Sequence, residues 1–409
     1  MRERHDTVIV GAGQAGLAMS AVLQRHGREH VVLERRRVGD RWRTERWGSL
    51  RFQFPNWSLG LPGYRYTGAD PDGFAHYTEI VRLIEDYAAS TRAPVREHTE
   101  VVGVQQDTAG TGFVVSVADG SLHARRVVLA TGPFQRPLIP PMSYDIWPSV
   151  LQTDPTRYRC PEQLPAGAVL IVGSGASGCQ IADELLGAGR TVFLSVSRHR
   201  RIPRRLGGRD AYWWLENMGR LAQTIDSFPG RRWPPSIVVT GVHGGYDVNV
   251  RQLAVDGVCV VGRVAGASGG TLAIDASANQ VLDEADTAYA GFMSAAREFA
   301  TQVAGEDLTD GEPVDRAGPA AAVTEVDSLD LAREHIGTII WATGYAYDLG
   351  WVKAPVLDNA GRPVQRRGVT QQPGLYFLGL HWMHTIKSGL LSGVGNDAEY
   401  LAEHIAGTH

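Results

Sequence analysis

The sequence predicts an α/β protein built from two Rossmann-like dinucleotide-binding units. Three observations carry that prediction. The β-branched run Val8-Ile9-Val10 enters the turn Gly11-Ala12-Gly13-Gln14-Ala15-Gly16 and leaves into an apolar helical pattern through Leu17, Ala18, Ala21 and Val22. The same order of strand, glycine turn and helix recurs at Val169-Leu170-Ile171-Val172-Gly173-Ser174-Gly175-Ala176-Ser177-Gly178. Two later apolar runs end alike, in Ala130-Thr131-Gly132 and Ala342-Thr343-Gly344, as strands do when they return to a sheet and bring backbone near a bound nucleotide. In such a turn the first glycine makes the tight bend, the second lets backbone approach a pyrophosphate, and the third lets helix and strand close up. The helix N-terminus then faces the phosphates.

Bulk properties narrow the function classes. The chain of 409 residues is long enough for two or three domains and a large core. With 43% hydrophobic and 21% charged residues its composition is that of a globular protein. A formal net charge of −4 speaks against a general nucleic-acid or polybasic membrane role. No apolar run approaches the roughly 20 residues of a membrane span. Residues 1–6 are polar and lead straight into the first strand, which reads as no signal peptide. Cys160, Cys179 and Cys259 are scattered, with no Cys-x-x-Cys, which fits a reducing cytoplasm and not a redox dithiol.

In chain order, Glu34 ends the strand Val31-Val32-Leu33, about twenty residues past the first turn, where a ribose hydroxyl is held. Basic and aromatic residues follow. Arg35 and Arg46 suit phosphates, and Trp42 and Trp47 suit the cover of an extended ligand. Phe54-Pro55-Asn56-Trp57 reads as irregular loop, with Asn56 by default a turn residue. A helix is predicted over 77–89, and strands over 101–104 and 113–117 with a hairpin at Asp119-Gly120. Proline-rich sequence over 133–165 predicts an extended linker.

The second unit differs at one place. Where Glu34 closes the second strand of the first unit, residues 191–196 lead into Ser197-Arg198-His199-Arg200-Arg201. No carboxylate there repels a 2′-phosphate, and several cations suit it, which is the NADP pattern. One nucleotide is thus held through Glu34 and the other arrives as NADPH. A held dinucleotide that accepts hydride from NADPH is FAD. An aromatic helix is predicted over 211–221, strands over 258–261 and 271–274, a helix over 277–304 and an acidic surface loop over 305–320. A last buried strand over 374–379 places Gly379 near the cofactor. A helix over 388–405 follows, with Leu390, Gly389, Gly393 and Gly395 in its first turns, and its N-terminus suits negative charge on a reduced flavin. His381 and His384 read either as substrate-site groups or as loop histidines with local hydrogen bonds.

Taken together and in this order, the first glycine motif, the Trp42 to Leu50 segment, the second glycine motif with Ser197-Arg198, Ala342-Thr343-Gly344-Tyr345 and the 374–379 strand resemble the class B flavoprotein monooxygenases, the flavin-containing and YUCCA-type enzymes and their bacterial relatives. The resemblance implies an FAD domain (1–160 and 336–409) with an NADPH domain (161–335) inserted into it. It implies reduction of FAD by NADPH and transfer of one oxygen atom of O2, through a flavin C4a-hydroperoxide, to a small nucleophilic substrate, most often at nitrogen or sulfur. It brings cofactor contacts to Gly11, Gly13, Gln14, Ala15, Gly16, Thr131, Gly132, Gly173, Gly175, Ser177, Gly178, Thr343 and Gly344. It makes Asn56 the match for an asparagine at the flavin edge. The family fingerprint Phe-x-Gly-x-x-x-His-x-x-x-Trp/Tyr, counted back from Tyr158, puts Asp154 in the histidine place. That departure implies weak retention of NADP+ and keeps open an NADPH oxidase or flavin reductase that makes hydrogen peroxide. Baeyer-Villiger-type oxygenation and a regulatory protein with structural FAD stay open as well. The partners implied are substrate and O2, with no nucleic acid, no membrane, no metal, and room for a homodimer.

Overall fold

The computed structural model describes residues 3–108, 110–228, 234–304 and 323–407. The first sheet runs in the order Val95–Arg96, His30–Leu33, Glu3–Val10, Gly120–Leu129, Phe113–Val117, Val101–Gln106, and Leu375–Phe377 pairs the far half of Gly120–Leu129. Glu3–Val10 is parallel to both neighbours and buried on both faces over its last four residues, which is why it reads as an unbroken apolar run. Gly120–Leu129 is shared. Its first half forms the antiparallel hairpin with Phe113–Val117, and residues 127–129 join the parallel layer.

The second sheet has five parallel strands in the order Leu151–Thr153, Ile336–Trp341, Ala168–Val172, Val192–Ser195, Cys259–Val261. It draws strands from both sides of the stretch 161–335. The proline-rich segment is therefore not extended linker throughout: it forms a 3-10 turn over Pro141–Asp145 and contributes an edge strand. The two crossings between the sheets pair with each other as a short antiparallel ribbon, Arg136–Pro137 against Tyr345–Ala346.

Three further differences have local causes. The C-terminal helix spans Val394–Gly407, while Ile386–Gly389 is a separate 3-10 turn capped by Thr385. Gly389 and Gly393 end the early helical run instead of lying inside it, as the backbone cost of glycine dictates. The aromatic helix is shorter than expected, Ala211–Asn217, and is stopped before Gly219 at φ +70°. Val264–Ser268, Thr271–Ile274 and Ser328–Asp330 form a small antiparallel sheet that the sequence pattern showed only in part. The acidic loop expected over 305–320 lies outside the described residues. Among the described residues no helix is long and apolar enough to cross a membrane.

Candidate functional site

The two glycine turns share one backbone geometry. Gly11 and Gly173 take φ +105° and +112°, and a Cβ on either would stand 2.7 Å from the Ala130 carbonyl or 2.5 Å from the Ala342 carbonyl. The small returning strand ends thus press on the turns. A Cβ on Gly16 or Gly178 would lie 1.8 or 1.9 Å from the carbonyl oxygen of Gly11 or Gly173, so helix and strand touch backbone to backbone. Gly13 and Gly175 are the exception, with no protein atom within 4 Å of the place a Cβ would occupy. Each is the N-cap of its helix, Gln14–Arg25 or Ala176–Gly187, and neither helix has a side-chain cap. First-turn N–H groups left without a side-chain acceptor beside open space form an anion cradle. The residues therefore fit a dinucleotide pyrophosphate at both turns.

The ends of the second strands differ. In the first unit the Glu34 carboxylate accepts from the Ala12 N–H at 2.8 Å and the Arg36 N–H at 3.0 Å, which holds the acid on the turn. Arg35 beside it is exposed. In the second unit Ser174 takes the place of Ala12. Its hydroxyl donates to the Ser197 carbonyl at 2.7 Å and accepts from the Ser197 N–H at 2.9 Å. Ser197 and Arg198 are exposed. Arg200 donates to the Pro235 carbonyl at 2.9 Å and is half-buried; burial and nearby Arg220 lower its pKa to about 10. Arg201 is buried between Asp247 and Asp286, both at 3.4 Å, and Arg204 between Asp210 at 2.7 Å and the Phe74 ring. Of the basic run, Arg198 is the exposed one, and among the described residues it has no ion-pair or hydrogen-bond partner.

Gln14 donates to the Gly389 carbonyl at 3.1 Å and accepts from the Trp42 indole at 3.4 Å, which ties the first turn to the loop after the last strand. Gly379 (φ +74°) lies against Ala15, whose Cβ would be 2.5 Å from a Cβ there, and Leu390 closes the 3-10 turn behind it. Arg46 stacks over Trp42 at 4.7 Å. Thr131 Oγ1 and the Gly132 carbonyl both accept from Gln135 at 2.8 Å, and Thr343 donates to the Leu138 carbonyl. Ser177 and Gly178 lie in the first turn of the second helix, and Gly344 (φ +95°) starts the ribbon. Trp47 departs from expectation. It is 5% exposed within the core of the second sheet, with little ring left to cover a ligand.

The three candidate catalytic residues sit apart in their bonding. Asn56 is buried, and its amide donates to the Asp70 carbonyl at 2.9 Å and accepts from the Ala75 N–H at 2.8 Å. Asp154 is buried, and one carboxylate oxygen accepts from the Thr156 N–H at 2.8 Å and the Thr156 hydroxyl at 2.5 Å. Both side chains are thus engaged by their own loops. His384 lies 3.8 Å from Asp397, and its carbonyl accepts from the Ile225 N–H. Burial pushes the pKa of His381 down to about 4. Two organising residues escaped the sequence reading. Gln135 links Thr131 and Gly132 to the Asp348 N–H at 2.7 Å, and Arg159 holds the Thr44, Thr156 and Tyr158 carbonyls together. Neither sits in a motif. An amide or guanidinium bonding to distant carbonyls has no sequence period to reveal it.

Comparison with known proteins agrees with this geometry. Residues 8–207 match the pyridine nucleotide-disulphide oxidoreductase model. All three cysteines are free and no two form a dithiol. An uncharacterized CzcO-like oxidoreductase of Geobacillus kaustophilus is 32% identical over 403 residues, covering 98% of each chain. The indole-3-pyruvate monooxygenase YUCCA1 of Oryza sativa subsp. japonica is 26% identical over 426 residues, covering 99% of this chain and 93% of that one. The flavin-containing monooxygenase of Stenotrophomonas maltophilia, at 19% identity, shares the fold with a TM-score of 0.68 over 99% of this chain and 98% of that one. Two glycine turns of one build, an acid at one and an exposed arginine at the other, and relatives that match end to end lead to one conclusion: the chain belongs to the family of the CzcO-like oxidoreductases, and along its length it is similar to the flavoprotein monooxygenases.

Proposed function

We propose that the protein is an NADPH-dependent FAD monooxygenase that transfers one oxygen atom of O2 to a small nucleophilic substrate at nitrogen or sulfur. The observation that carries this reading is the asymmetry of two otherwise matching turns. Glu34 accepts ribose hydroxyls at the first, and Arg198 with Ser197 receives a 2′-phosphate at the second. In this reading the FAD pyrophosphate lies on Gly13, Gln14, Ala15 and the helix start at Gly16. Arg35, Arg46 and Trp42 flank it, and Thr131, Gly132, Gly379 and Leu390 supply backbone beside it. NADPH lies on Gly175, Ser177 and Gly178, with Thr343 and Gly344 alongside. The NADPH-binding unit is inserted into the FAD-binding unit, and the 136–137 and 345–346 ribbon joins them. The chemistry supplied by FAD, when bound, is acceptance of hydride and activation of O2. The chain itself binds, orients and excludes water. The neutral imidazole of His381, in the loop after Gly379, is suited to accept a hydrogen bond without adding charge.

The test has two parts. Protein loaded with FAD should be reduced by NADPH, and a screen of amines and sulfides scored by oxygenated product should show product formed with NADPH consumed. Hydrogen peroxide equal to the NADPH consumed, with every substrate, would favour the oxidase reading, for which the carboxylate at Asp154 in place of an imidazole speaks. Arg198→Ala should lower the preference for NADPH over NADH about tenfold or more, the loss of a phosphate–guanidinium contact of about 1.5–3 kcal/mol. An unchanged preference overturns the assignment of Arg198.

A further inference from the structure

We propose that Ser174 is a positioning residue that presents Arg198 to the coenzyme's 2′-phosphate, and so sets the preference for NADPH without touching it. The inference rests on the reading of Arg198 above. In the first unit the brace between strand end and glycine turn runs from the strand: the Glu34 carboxylate reaches back to the Ala12 N–H. In the second unit that acid is missing, and the brace runs from the turn. The Ser174 hydroxyl donates to the Ser197 carbonyl and accepts from the Ser197 N–H. The same oxygen lies 3.1 Å from His199 Nδ1, which is also 3.0 Å from the Ser197 carbonyl. Because the serine proton goes to Ser197, the imidazole carries its proton on Nδ1 and donates to these oxygens. Burial lowers the His199 pKa, which favours the neutral ring.

One fully buried hydroxyl thus ties the residues on either side of Arg198, while Arg198 itself stays exposed. A long cationic side chain loses rotamer freedom when it grips a phosphate. A backbone already fixed beneath it leaves less to be ordered at that moment. NADH, which lacks the 2′-phosphate, gains nothing from this brace. Ser174 also explains why the second turn carries a polar residue between its first two glycines where the first turn has alanine.

The experiment titrates NADP+ and NAD+ into the oxidised, FAD-loaded protein and follows the flavin difference spectrum. The variants are Ser174→Ala, Ser174→Cys, Arg198→Ala and Ser174→Ala with Arg198→Ala. Ser174→Ala should lower the ratio of NADP+ to NAD+ affinity about fivefold, with NAD+ affinity and flavin content close to those of the parent. Ser174→Cys, which fills the site with a weaker hydrogen-bonding group, should fall between. In the Arg198→Ala background the serine change should have no further effect on the ratio, because the two act as one unit. An unchanged ratio in Ser174→Ala, with Arg198→Ala lowering it, overturns this inference and leaves the reading of Arg198 standing. Equal loss for both coenzymes, or additive losses in the double variant, also overturns it. An unchanged ratio in Arg198→Ala overturns the reading beneath it. If Ser174→Ala does not fold, Ser174→Cys decides, and a parent-like ratio there overturns the inference.

Discussion

At the scale of single residues, Asp154 and Asn56 show what burial asks of a polar side chain. Each is 6% exposed and each satisfies neighbouring backbone. The Asp154 carboxylate closes a turn on Thr156, and its carbonyl accepts from Arg157 and Tyr158. Asp154→Ala removes that acceptor and should cost about 1–2 kcal/mol in urea denaturation, whereas Asp154→Asn, which keeps an acceptor oxygen, should cost less than half as much. Equal losses would show that the charge, and not the turn, matters. Asn56→Ala strands the Asp70 carbonyl and the Ala75 N–H and should cost about 1–3 kcal/mol. Sequence marked both positions by motif alignment. It did not show how their hydrogen bonds are used, because Asn56 meets residues 14 to 19 places away and nothing in a short window records a loop folding back.

At the scale of elements, the two strand–turn–helix units were legible because the glycine spacing is a local necessity. Gly16 is required by a carbonyl 1.8 Å from its would-be Cβ, whereas Gly13 faces open space, where the proposed pyrophosphate lies. The two demands separate by experiment. Gly16→Ala should force helix from strand and lower stability by about 1–3 kcal/mol or more. Gly13→Ala should fold as the parent does, with an unchanged melting profile, yet retain about a tenth of the flavin or less. Parent-like flavin content in Gly13→Ala would remove Gly13 from the pyrophosphate site. The elements misread were those whose limits depend on partners. Leu151–Thr153 is short, lies between prolines and becomes a strand because Ile336–Trp341 offers an edge. The start of the C-terminal helix at Val394 is set by glycines at 389 and 393 that an apolar period alone passes over.

At the scale of the whole molecule, the second unit reaches across to the loop behind the first turn. The Tyr212 hydroxyl donates to Ser392 Oγ at 2.6 Å, Lys387 pairs with Glu216 at 2.9 Å, and Phe228 meets Trp382 edge-on at 5.0 Å. These partners lie up to 180 positions apart, so no motif announces them. Such an assembly, with imidazoles enclosed in its interior, has a definite response to acid. His30 accepts or donates between Ser20 and the Arg28 carbonyl, His199 serves the Ser174 brace, and His381 follows the last strand. Burial pushes all three pKa values down, that of His381 to about 4. A histidine with a folded pKa below its unfolded value, about 6.5, binds a proton more readily in the unfolded chain. The stability it contributes is therefore full above about pH 6.5 and is lost as pH falls toward the folded pKa. Asp183 and Asp210, whose pKa values burial raises, act with the opposite sign from a lower starting value. Between about pH 7.5 and about pH 5.5 each of the three histidines withdraws at most about 1.4 kcal/mol. The urea midpoint at constant ionic strength should fall across that interval, and a midpoint that holds or rises would mean that these imidazoles are solvated or paired with acids in the folded protein.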